Sequence, residues 1–352
     1  MMLEASPQKT IMDRSRPRLR SITLGGEEQG FIPILNPLGQ STRELPAVAS
    51  SARSAVAGSI SWVRNFQVLF DDAEASTIEH TGYAPYGTLA FPPAHAARPW
   101  TYANFVQSID GIASFKGPHA AGSDISQSAE DRWLMDLLRA HADAIITGIN
   151  TLVEETLSAP HLNGGRGPVY RIEEETLRDL RMKLGRKREK VIFVTASGSV
   201  DPRAYRVFDG DLMDALILTT TAGAARLQGR IDSARLIVAG QEKTIDLPQA
   251  MRLLREKMDI EHLLCEGGPT LYGSMSRAGL IDEKFVTVSP VEIGLIMPPE
   301  PGAAPAAPGN QLNLRPTTFT YPGFTPETAP WWRWMSCRRV GDHQFNRYRR
   351  KR

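Results

Sequence analysis

The stretch that decides the fold reads Leu264-Cys265-Glu266-Gly267-Gly268-Pro269-Thr270-Leu271-Tyr272-Gly273. Apolar residues lead up to Glu266, two glycines follow, and Pro269 suits the first position of a helix, where a missing N–H costs nothing. This order predicts a strand, a tight turn and a helix. Glycines let backbone amides approach a ligand, and the free amides of a helix N-terminus suit a phosphate. Glu266 would then stand beside that phosphate and could accept hydrogen bonds from a nitrogen-rich ring. A plain strand–turn–helix connection would also explain the glycines.

The composition narrows the class of protein. Its 41 Lys and Arg residues against 39 Asp and Glu give a formal net charge of +2, which argues against electrostatic binding of nucleic acid. Cys265 and Cys337 are too few for a disulfide framework or a cysteine zinc site, so we expect a reducing compartment, the cytoplasm. The sequence contains no apolar run of the ~18 residues that a membrane helix needs, and residues 1–20 lack the apolar core of a signal peptide.

The composition and the pattern of apolar residues change near residue 98. Residues 1–97 begin with a long Pro-, Gly-, Ser- and Ala-rich stretch, and we predict an N-terminal extension that is partly disordered. From 98 to 352, apolar strands alternate with amphipathic helices, which predicts an α/β fold with a mostly parallel sheet flanked by helices. A C-terminal antiparallel hairpin is expected to close it around Gly341-Asp342. The predicted strands are 100–107, 144–148, 191–195, 215–219, 235–238, 262–265, 285–289, 332–340 and 343–348; the helices are 128–141, 173–184 and 247–257; a linker covers 298–310.

Several polar residues fall near the ends of these predicted elements. Asp110 follows the first strand, where it could close a structural turn or serve a ligand. Ser123 precedes a predicted helix. Hydroxyls in this segment could cap that helix or could reach a ligand. Arg139 could complement the dipole at the end of that helix, bind a substrate phosphate, or do both. Thr151 and Glu155 follow a buried strand, at the edge where open α/β sheets bind ligands.

Other kinds of site are excluded by motif. No Gly-x-Gly-x-x-Gly follows a strand, and the stretch 268–274 lacks the lysine of a phosphate loop, so nucleotide hydrolysis is not expected. The seven histidines show no metal-ligand spacing, and the signature of a zinc deaminase is absent from the sequence. We therefore expect no metal site, and the sequence has no Gly-x-Ser-x-Gly motif of a serine hydrolase.

Together, the order and spacing of the motifs resemble the riboflavin-biosynthesis pyrimidine reductase family, the reductase half of the bacterial bifunctional deaminase-reductase. The resemblance covers roughly residues 98–349 and implies a dihydrofolate-reductase-like fold. It also implies that NADPH reduces a ribosylamino-pyrimidine 5′-phosphate to its ribitylamino counterpart. The segments that carry it are 107–111, 138–148, Thr151, 266–271 and 279–283.

The resemblance assigns roles to residues of this chain. It implies substrate contacts for Ser123, Arg139, Glu266 and Asn104, and we expect Glu155 and Asp110 to take part in catalysis. The family carries a lysine in many members where this chain has Asn104, and its Asp-Asp-Pro is here Glu154-Glu155-Thr156, so only Glu155 keeps the first aspartate's place. The implied cofactor contacts are Ile125, Thr151, Glu155, Ser197, Gly267, Gly268, Pro269, Thr270, Leu271, Gly273 and Ser274.

The reaction expected from the resemblance needs a hydride and a proton. Ring opening of the ribosylamine gives an imine at C1′, the nicotinamide supplies the hydride, and Glu155 or water is the expected proton donor. We expect NADPH rather than NADH because Arg166 or Arg203 could meet the 2′-phosphate. The alternatives are an NADPH reductase of another pterin- or pyrimidine-like substrate and a non-enzymatic nucleotide-binding protein on the same fold. The expected partners are a small-molecule substrate and a second copy in a homodimer, without nucleic acid or membrane.

Overall fold

The computed structural model describes residues 66–72, 86–87, 89–114, 122–294 and 324–351. The chain divides into two units, residues 1–60 and 61–352, and every described residue lies in the second. The expectations for residues 1–65 and for the linker 298–310 fall outside the described residues.

Strands and helices alternate through the described part. The strands are β1 (Gln67–Asp71), β2 (Trp100–Gln107), β3 (Ala144–Gly148), β4 (Lys190–Val194), β5 (Asp214–Thr219), β6 (Leu236–Val238), β7 (His262–Gly267), β8 (Glu283–Val288), β9 (Trp332–Val340) and β10 (His343–Arg350). The helices are α1 (Gly122–Ser126), α2 (Ala129–His141), α3 (Ile149–Ser158), α4 (Glu175–Lys183), α5 (Thr221–Leu227), α6 (Leu247–Met258) and α7 (Pro269–Arg277).

The described strands form a single ten-stranded sheet in the order β1-β9-β10-β8-β2-β7-β3-β4-β5-β6. The seven strands from β8 to β6 pair in parallel, while β10, β9 and β1 add to β8 in antiparallel pairs. The mostly parallel sheet with a closing C-terminal hairpin, expected from the sequence, is therefore confirmed.

Helices cover both faces of the parallel part. On one face α2, α3, α4 and α5 contribute apolar side chains such as Leu137, Leu152 and Leu177 to a core that includes Leu264 of β7. On the other face α6 and α7 pack Leu254 and other side chains against the neighbouring positions of β7. Because side chains alternate along a strand, the central strands β3, β4 and β5 are buried on both faces, which explains their largely apolar sequences.

Part of the segment assigned to the N-terminal extension belongs to this sheet and core. β1 pairs with β9, and Arg338 of β9 is buried, with its guanidinium bonded to Asp71 at 2.6 Å and to the Tyr86 carbonyl at 2.7 Å. Phe66 and Phe91 also lie in the core on the α2 face. The apolar residues of β1 occur at mixed spacing, and its partner strand is distant in sequence, so no local pattern indicates this pairing.

The acidic pair at the start of β8 ties three parts of the chain together. Asp282 accepts from both Nη atoms of Arg98 at 2.7 and 2.8 Å and contacts His95 at 2.9 Å. The Glu283 side chain is fully buried and accepts from Arg347 at 2.7 Å and Arg349 at 2.8 Å. The sequence Leu280–Glu283 thus joins the segment before β2 and the C-terminal strand β10 to the start of β8. Within the described ranges, no helix is long and apolar enough to span a membrane.

Removing the Glu283 carboxylate is expected to destabilise the fold strongly. Glu283→Ala leaves the buried Arg347 guanidinium without its counter-charge, and we expect the free energy of unfolding in urea to fall by about 3–5 kcal/mol. The control is Glu173→Gln, which breaks an exposed pair with Arg132 and should cost about 0–1 kcal/mol. Equal losses in the two variants would show that the Glu283 ion pairs contribute no more than a surface pair.

Candidate active site

The sheet reverses its winding between the neighbouring strands β3 and β7. The chain leaves β3 through α3 toward β4 on the face covered by α2, and it leaves β7 through α7 toward β8 on the opposite face. Such a switch point opens a crevice outside the carboxyl ends of two adjacent strands, where open α/β sheets bind ligands. The crevice here lies between Gly148 and Gly268.

Both helices that start at this crevice lack a side-chain cap. Gly148 precedes α3 and Gly268 precedes α7, and neither has a side chain to bond the first amides. The helices α2, α5 and α6 are capped by Ser128, Thr220 and Asp246, while α4, which starts away from this crevice, also lacks a side-chain cap. First-turn amides have no acceptor within their own helix, so two sets of N–H donors and two positive dipole ends meet at one place.

The glycines at the crevice are required by its geometry. A Cβ on Gly267 would lie 2.5 Å from Oγ1 of Thr147, and a Cβ on Gly268 would lie 3.0 Å from Oγ1 of Thr151. Gly268 also has φ +68°, a left-handed conformation that disfavours other residues. The Thr147 hydroxyl is buried and finds no hydrogen-bond partner among the described residues.

A β-bulge aims Glu266 into the site. Ile146 of β3 is level with Cys265, but Thr147 is level with Gly267, so Glu266 is the extra residue on β7. Its carboxylate forms a bidentate pair with Arg139 of α2, Nε to Oε1 at 2.6 Å and Nη2 to Oε2 at 2.7 Å. The two side chains are 6 % and 5 % exposed.

Arg139 is fully engaged by the protein. Its remaining nitrogen, Nη1, lies 3.3 Å from Asp136 Oδ1 and 3.5 Å from the carbonyl oxygen of Arg171. Burial acts to lower the pKa of Arg139, but the charge of Glu266 outweighs it and raises the pKa above its ordinary value. The guanidinium that could have bound a substrate phosphate therefore already faces acceptors of the protein with its nitrogens. Arg139 and Glu266 form one buried unit at the base of the site.

Glu155 lies nearly two turns into α3, beside this unit. Its Oε2 accepts a hydrogen bond of 2.5 Å from the phenol of Tyr170, a residue in the irregular segment before α4. Burial raises the pKa of Glu155; the Tyr170 hydrogen bond opposes that shift, and the nearby charge of Glu266 adds to it. Glu155 is therefore a carboxyl group disposed to hold a proton, as the expected role in catalysis requires.

Asn104 lies on β2, one residue beyond the last pair that β2 forms with β7, Ala103 with Cys265. Alternation along the strand places Asn104 on the same face as Tyr102, which belongs to the core beneath α2. Its buried Oδ1 has no hydrogen-bond partner in the described part of the chain, so it can accept from a ligand.

The short helix α1 carries two of the expected contacts. Ser123 is exposed there, whereas Ile125 is buried and its carbonyl accepts from Ser289 at 2.7 Å. The next carbonyl, that of Ser126, contacts His343 Nε2 at 2.7 Å. The ends of β8 and β10 thus hold α1 at the carboxyl edge.

The remaining predicted cofactor contacts lie on α7 or follow β4. Pro269 and Thr270 are exposed and Leu271 is buried in the first turn of α7, while Gly273 and Ser274 lie one turn further, where the Ser274 hydroxyl donates to the Thr270 carbonyl at 2.9 Å. Ser197 follows β4, two strands from β7, and its hydroxyl accepts from the Ser199 amide at 3.2 Å.

Asp110 anchors the segment that follows β8. Its carboxylate accepts from the Ser108 hydroxyl at 2.5 Å and from the amides of Ile293 and Gly294 at 3.2 and 2.8 Å. Burial acts to raise the pKa of Asp110, but the hydrogen bond from Ser108 and those amides bring it below its ordinary value. The part in catalysis expected of Asp110 stays a prediction.

Two residues of the site were not among those predicted from the sequence, Tyr170 and Thr147. Tyr170 lies in an irregular segment with no motif around it, so no local signal marks it. Thr147 could have been found, because it is a polar residue at the end of an otherwise apolar buried strand. Among the described residues, no cluster of three or more His, Cys, Asp or Glu side chains is arranged to hold a metal ion.

The two glutamates of the site are expected to affect stability in opposite ways. Glu266→Gln leaves Arg139 buried without its counter-charge and should lower the free energy of unfolding by about 3 kcal/mol at pH 7. Glu155→Gln should be neutral or stabilising at that pH, because it removes a buried negative charge that has no cation of its own. Urea denaturation of both variants checks this, and a larger loss from Glu155→Gln would contradict the charge assignment.

The same assignment predicts a pH dependence. Because the pKa of Glu155 is raised in the folded chain, its proton stabilises the fold fully below the ordinary value of 4.5, and that contribution is lost as the pH rises through the folded value. Glu155→Gln should remove this loss. The check is the pH dependence of the urea midpoint, compared between the parent and Glu155→Gln.

Comparisons with known proteins relate this chain to reductases of riboflavin biosynthesis. A sequence model of the family described as RibD C-terminal domain matches residues 99–317. Two relatives named 2,5-diamino-6-ribosylamino-4(3H)-pyrimidinone 5′-phosphate reductase, from Archaeoglobus fulgidus and Methanothermobacter thermautotrophicus, are 25 % and 29 % identical over 197 residues, which is 56 % of this chain and 83 % and 80 % of theirs.

Solved structures show the same fold. A pyrimidine reductase-like protein from Corynebacterium diphtheriae superposes with a TM-score of 0.54 at 22 % identity, over 72 % of this chain and 92 % of its own. RibD of Acinetobacter baumannii gives a TM-score of 0.51 at 14 % identity, over 73 % of this chain and 59 % of its own. The resemblance found in the sequence is confirmed, and the chain belongs to the RibD C-terminal domain family.

Proposed function

We propose that this protein is an NADPH-dependent reductase that converts a ribosylamino-pyrimidine 5′-phosphate to the ribitylamino-pyrimidine 5′-phosphate in riboflavin biosynthesis. The observation that carries the proposal is the meeting of two uncapped helix N-termini with a buried carboxyl cluster at the switch point of the sheet. The names of the two reductase relatives support the substrate class. The unpaired, buried state of Cys265 and Cys337 is compatible with the reducing cytoplasm, where we place the reaction.

The crevice fits the phosphates of a dinucleotide. The N-termini of α3 and α7 supply amides and positive dipole ends, and Gly268 leaves room for a phosphate oxygen near Thr151. The free Thr147 hydroxyl adds a donor to the same place. When bound, the nicotinamide supplies the hydride for the reduction.

The buried cluster fits a substrate that is rich in N–H groups. Asn104 Oδ1 is an acceptor that lacks a donor in the described part of the chain, and it lies on β2 just beyond the pair of Ala103 with Cys265, the residue before Glu266. We propose that Asn104 and the rim of the Arg139–Glu266 unit receive the pyrimidine, while the exposed Ser123 contacts the ribose phosphate. Glu155 then supplies the proton that accompanies hydride addition at C1′.

We assign the preference for NADPH to Arg230 instead of the expected Arg166 or Arg203, because both of these already pair with carboxylates. Arg166 forms a bidentate pair with Asp209 at 2.6 and 2.8 Å, and Arg203 does so with Asp201 at 2.8 and 2.9 Å. An open depression at the ends of β4 and β5 is lined by Gly198, Ser199, Val200, Asp201, Arg226 and Arg230. This depression lies along the same sheet edge as the crevice. Its Arg226 donates to the Ser197 carbonyl at 3.0 Å. We therefore assign the contact with the 2′-phosphate to the other arginine of the depression, Arg230.

The homodimer stays a prediction. Large apolar side chains on or beside β1 and β9 are exposed, among them Val68, Trp331 and Trp334 at 52 %, 74 % and 47 %. Exposed apolar surface of this kind is where a second copy would pack if the protein dimerises.

The direct test incubates the purified full chain with NADPH and the ribosylamino-pyrimidine phosphate, in its deaminated and undeaminated forms. The expected result is stoichiometric loss of NADPH absorbance and formation of the ribitylamino product by mass spectrometry. Turnover of a different pterin or pyrimidine alone would assign another substrate. Cofactor binding without turnover of any of them would identify a non-enzymatic nucleotide-binding protein.

Gly268→Ala is expected to weaken NADPH binding at least about tenfold, because the new Cβ is strained at positive φ and enters the phosphate crevice. The matched control is Gly185→Ala, at φ +67° with no atom within 4 Å of the new Cβ, which bears the same backbone strain away from the site. Isothermal calorimetry measures both affinities. Equal effects of the two variants would remove the crevice from the phosphate site.

Arg230→Ala is expected to raise the KM for NADPH about tenfold while leaving the KM for NADH unchanged, because only NADPH carries the 2′-phosphate. Arg252→Ala, an exposed arginine of α6 on the other face of the sheet, serves as the control. The measurement is the ratio of the two KM values in each variant. An unchanged ratio in Arg230→Ala would move the 2′-phosphate away from this depression.

A further inference from the structure

Tyr170 is the one side chain in the described part of the chain that gives the Glu155 carboxylate a hydrogen bond. The tyrosine is 4 % exposed, and its ring packs edge-on against Phe193 of β4 with centroids 5.4 Å apart. The Arg139 guanidinium lies 5.7 Å from the Tyr170 ring centroid. The phenol is thus fixed by its surroundings and cannot turn away to solvent.

The charges around Glu155 do not balance. Glu266 faces it from the end of β7, and Arg139 and Arg132 face it from α2. Arg139 is bound by Glu266 and Asp136, and Arg132 pairs with Glu173 at 2.9 Å on the surface. Three buried or partly buried carboxyl groups, Glu155, Glu266 and Asp136, therefore share one close guanidinium. Glu155 is the one without a cation of its own.

We propose that Tyr170 is a positioning residue that fixes the direction and the protonation state of the Glu155 carboxyl group for proton delivery. This inference rests on the proposed function, in which Glu155 supplies the proton of the reduction. A phenol can donate to the ionised carboxylate and accept from the protonated acid, so it stays bonded to Glu155 in both states.

In the proposed reduction, the groups named account for the hydride, the electron pair and the proton. The C1′ carbon of the substrate imine accepts a hydride from the nicotinamide dinucleotide, and the electron pair of the C=N bond moves to nitrogen. That nitrogen takes the proton of Glu155, and the carboxylate left behind is stabilised by the Tyr170 hydroxyl. Water returns a proton to Glu155 after the product leaves. Loss of the hydroxyl removes a bond that favours the ionised form, so it should raise the pKa of Glu155 further.

The test compares the full-length parent with Tyr170→Phe, which keeps the ring and its packing. The carboxyl carbon of Glu155 is followed by NMR in protein labelled at glutamate, and Glu155→Gln identifies the signal by removing it. In Tyr170→Phe the pKa of Glu155 should rise by about one unit, the value of one hydrogen bond to a charged group. Tyr348→Phe, a tyrosine of β10 outside the site, should leave it unchanged.

The kinetic readout follows the same titration. The protonated acid is the active form, so the alkaline limb of kcat/KM should move up by the same amount in Tyr170→Phe, while kcat falls about tenfold and the KM for NADPH stays constant. A folded Tyr170→Phe with an unmoved Glu155 titration, or with a lower kcat and an unmoved limb, would overturn the proposal and leave Tyr170 a packing residue. The NMR titration needs no substrate, so an inactive parent would overturn the proposed function and its proton delivery, and the titration would still show whether Tyr170 controls Glu155.

Discussion

The buried pair of Arg139 and Glu266 is the interaction on which the site depends. It joins the helix that follows β2 to the bulge at the end of β7, although the two residues are 127 positions apart. Burying two charges costs free energy, and the cost is offset here because both carboxylate oxygens are bonded and the guanidinium has further acceptors. Such a pair is weak evidence for stability, but it fixes the position of everything attached to it. Glu155 of α3 lies near the pair, and the glycines Gly267 and Gly268 directly follow Glu266 in the sequence.

The switch point then explains why binding and chemistry occur at one place. Because α3 and α7 leave for opposite faces, their N-termini diverge from a common crevice and their amides stay free. Glu266 faces the side of the sheet that α2 covers, opposite the helix α7 that follows it. Its counter-charge is therefore Arg139 of α2. One face of the crevice is thus rich in donors and the other in carboxyl groups. A dinucleotide phosphate suits the first, and a substrate with N–H groups or a developing positive charge suits the second.

Much of this could be predicted from the sequence. The strand Trp100–Gln107 and the strand Ala144–Gly148 agree with prediction at both ends, because each is rich in apolar, aromatic or β-branched residues. The helix α2 and its Ser128 cap also follow from local pattern. The strand–turn–helix at 262–277 was predicted for the same reason, since two glycines and a proline leave few alternatives.

What could not be predicted depends on contacts between distant residues. Asp110 was expected to take part in catalysis, and nothing local in the sequence indicates that its oxygens are bound by amides 183 and 184 positions away. For Arg139 the sequence left open a role at the helix dipole, on a substrate phosphate, or both, and only the three-dimensional structure shows its partner Glu266. Tyr170 gives no local signal at all.

The central claim is that the crevice between α3 and α7 holds the dinucleotide phosphates beside the Glu155 and Glu266 cluster. A crystal structure of the full chain with NADP⁺ tests it most directly. The account predicts that the pyrophosphate oxygens lie within hydrogen-bond distance of the first-turn amides of α3 and α7, with the nicotinamide ring toward Glu155. A dinucleotide bound elsewhere, with these amides facing solvent, would contradict it.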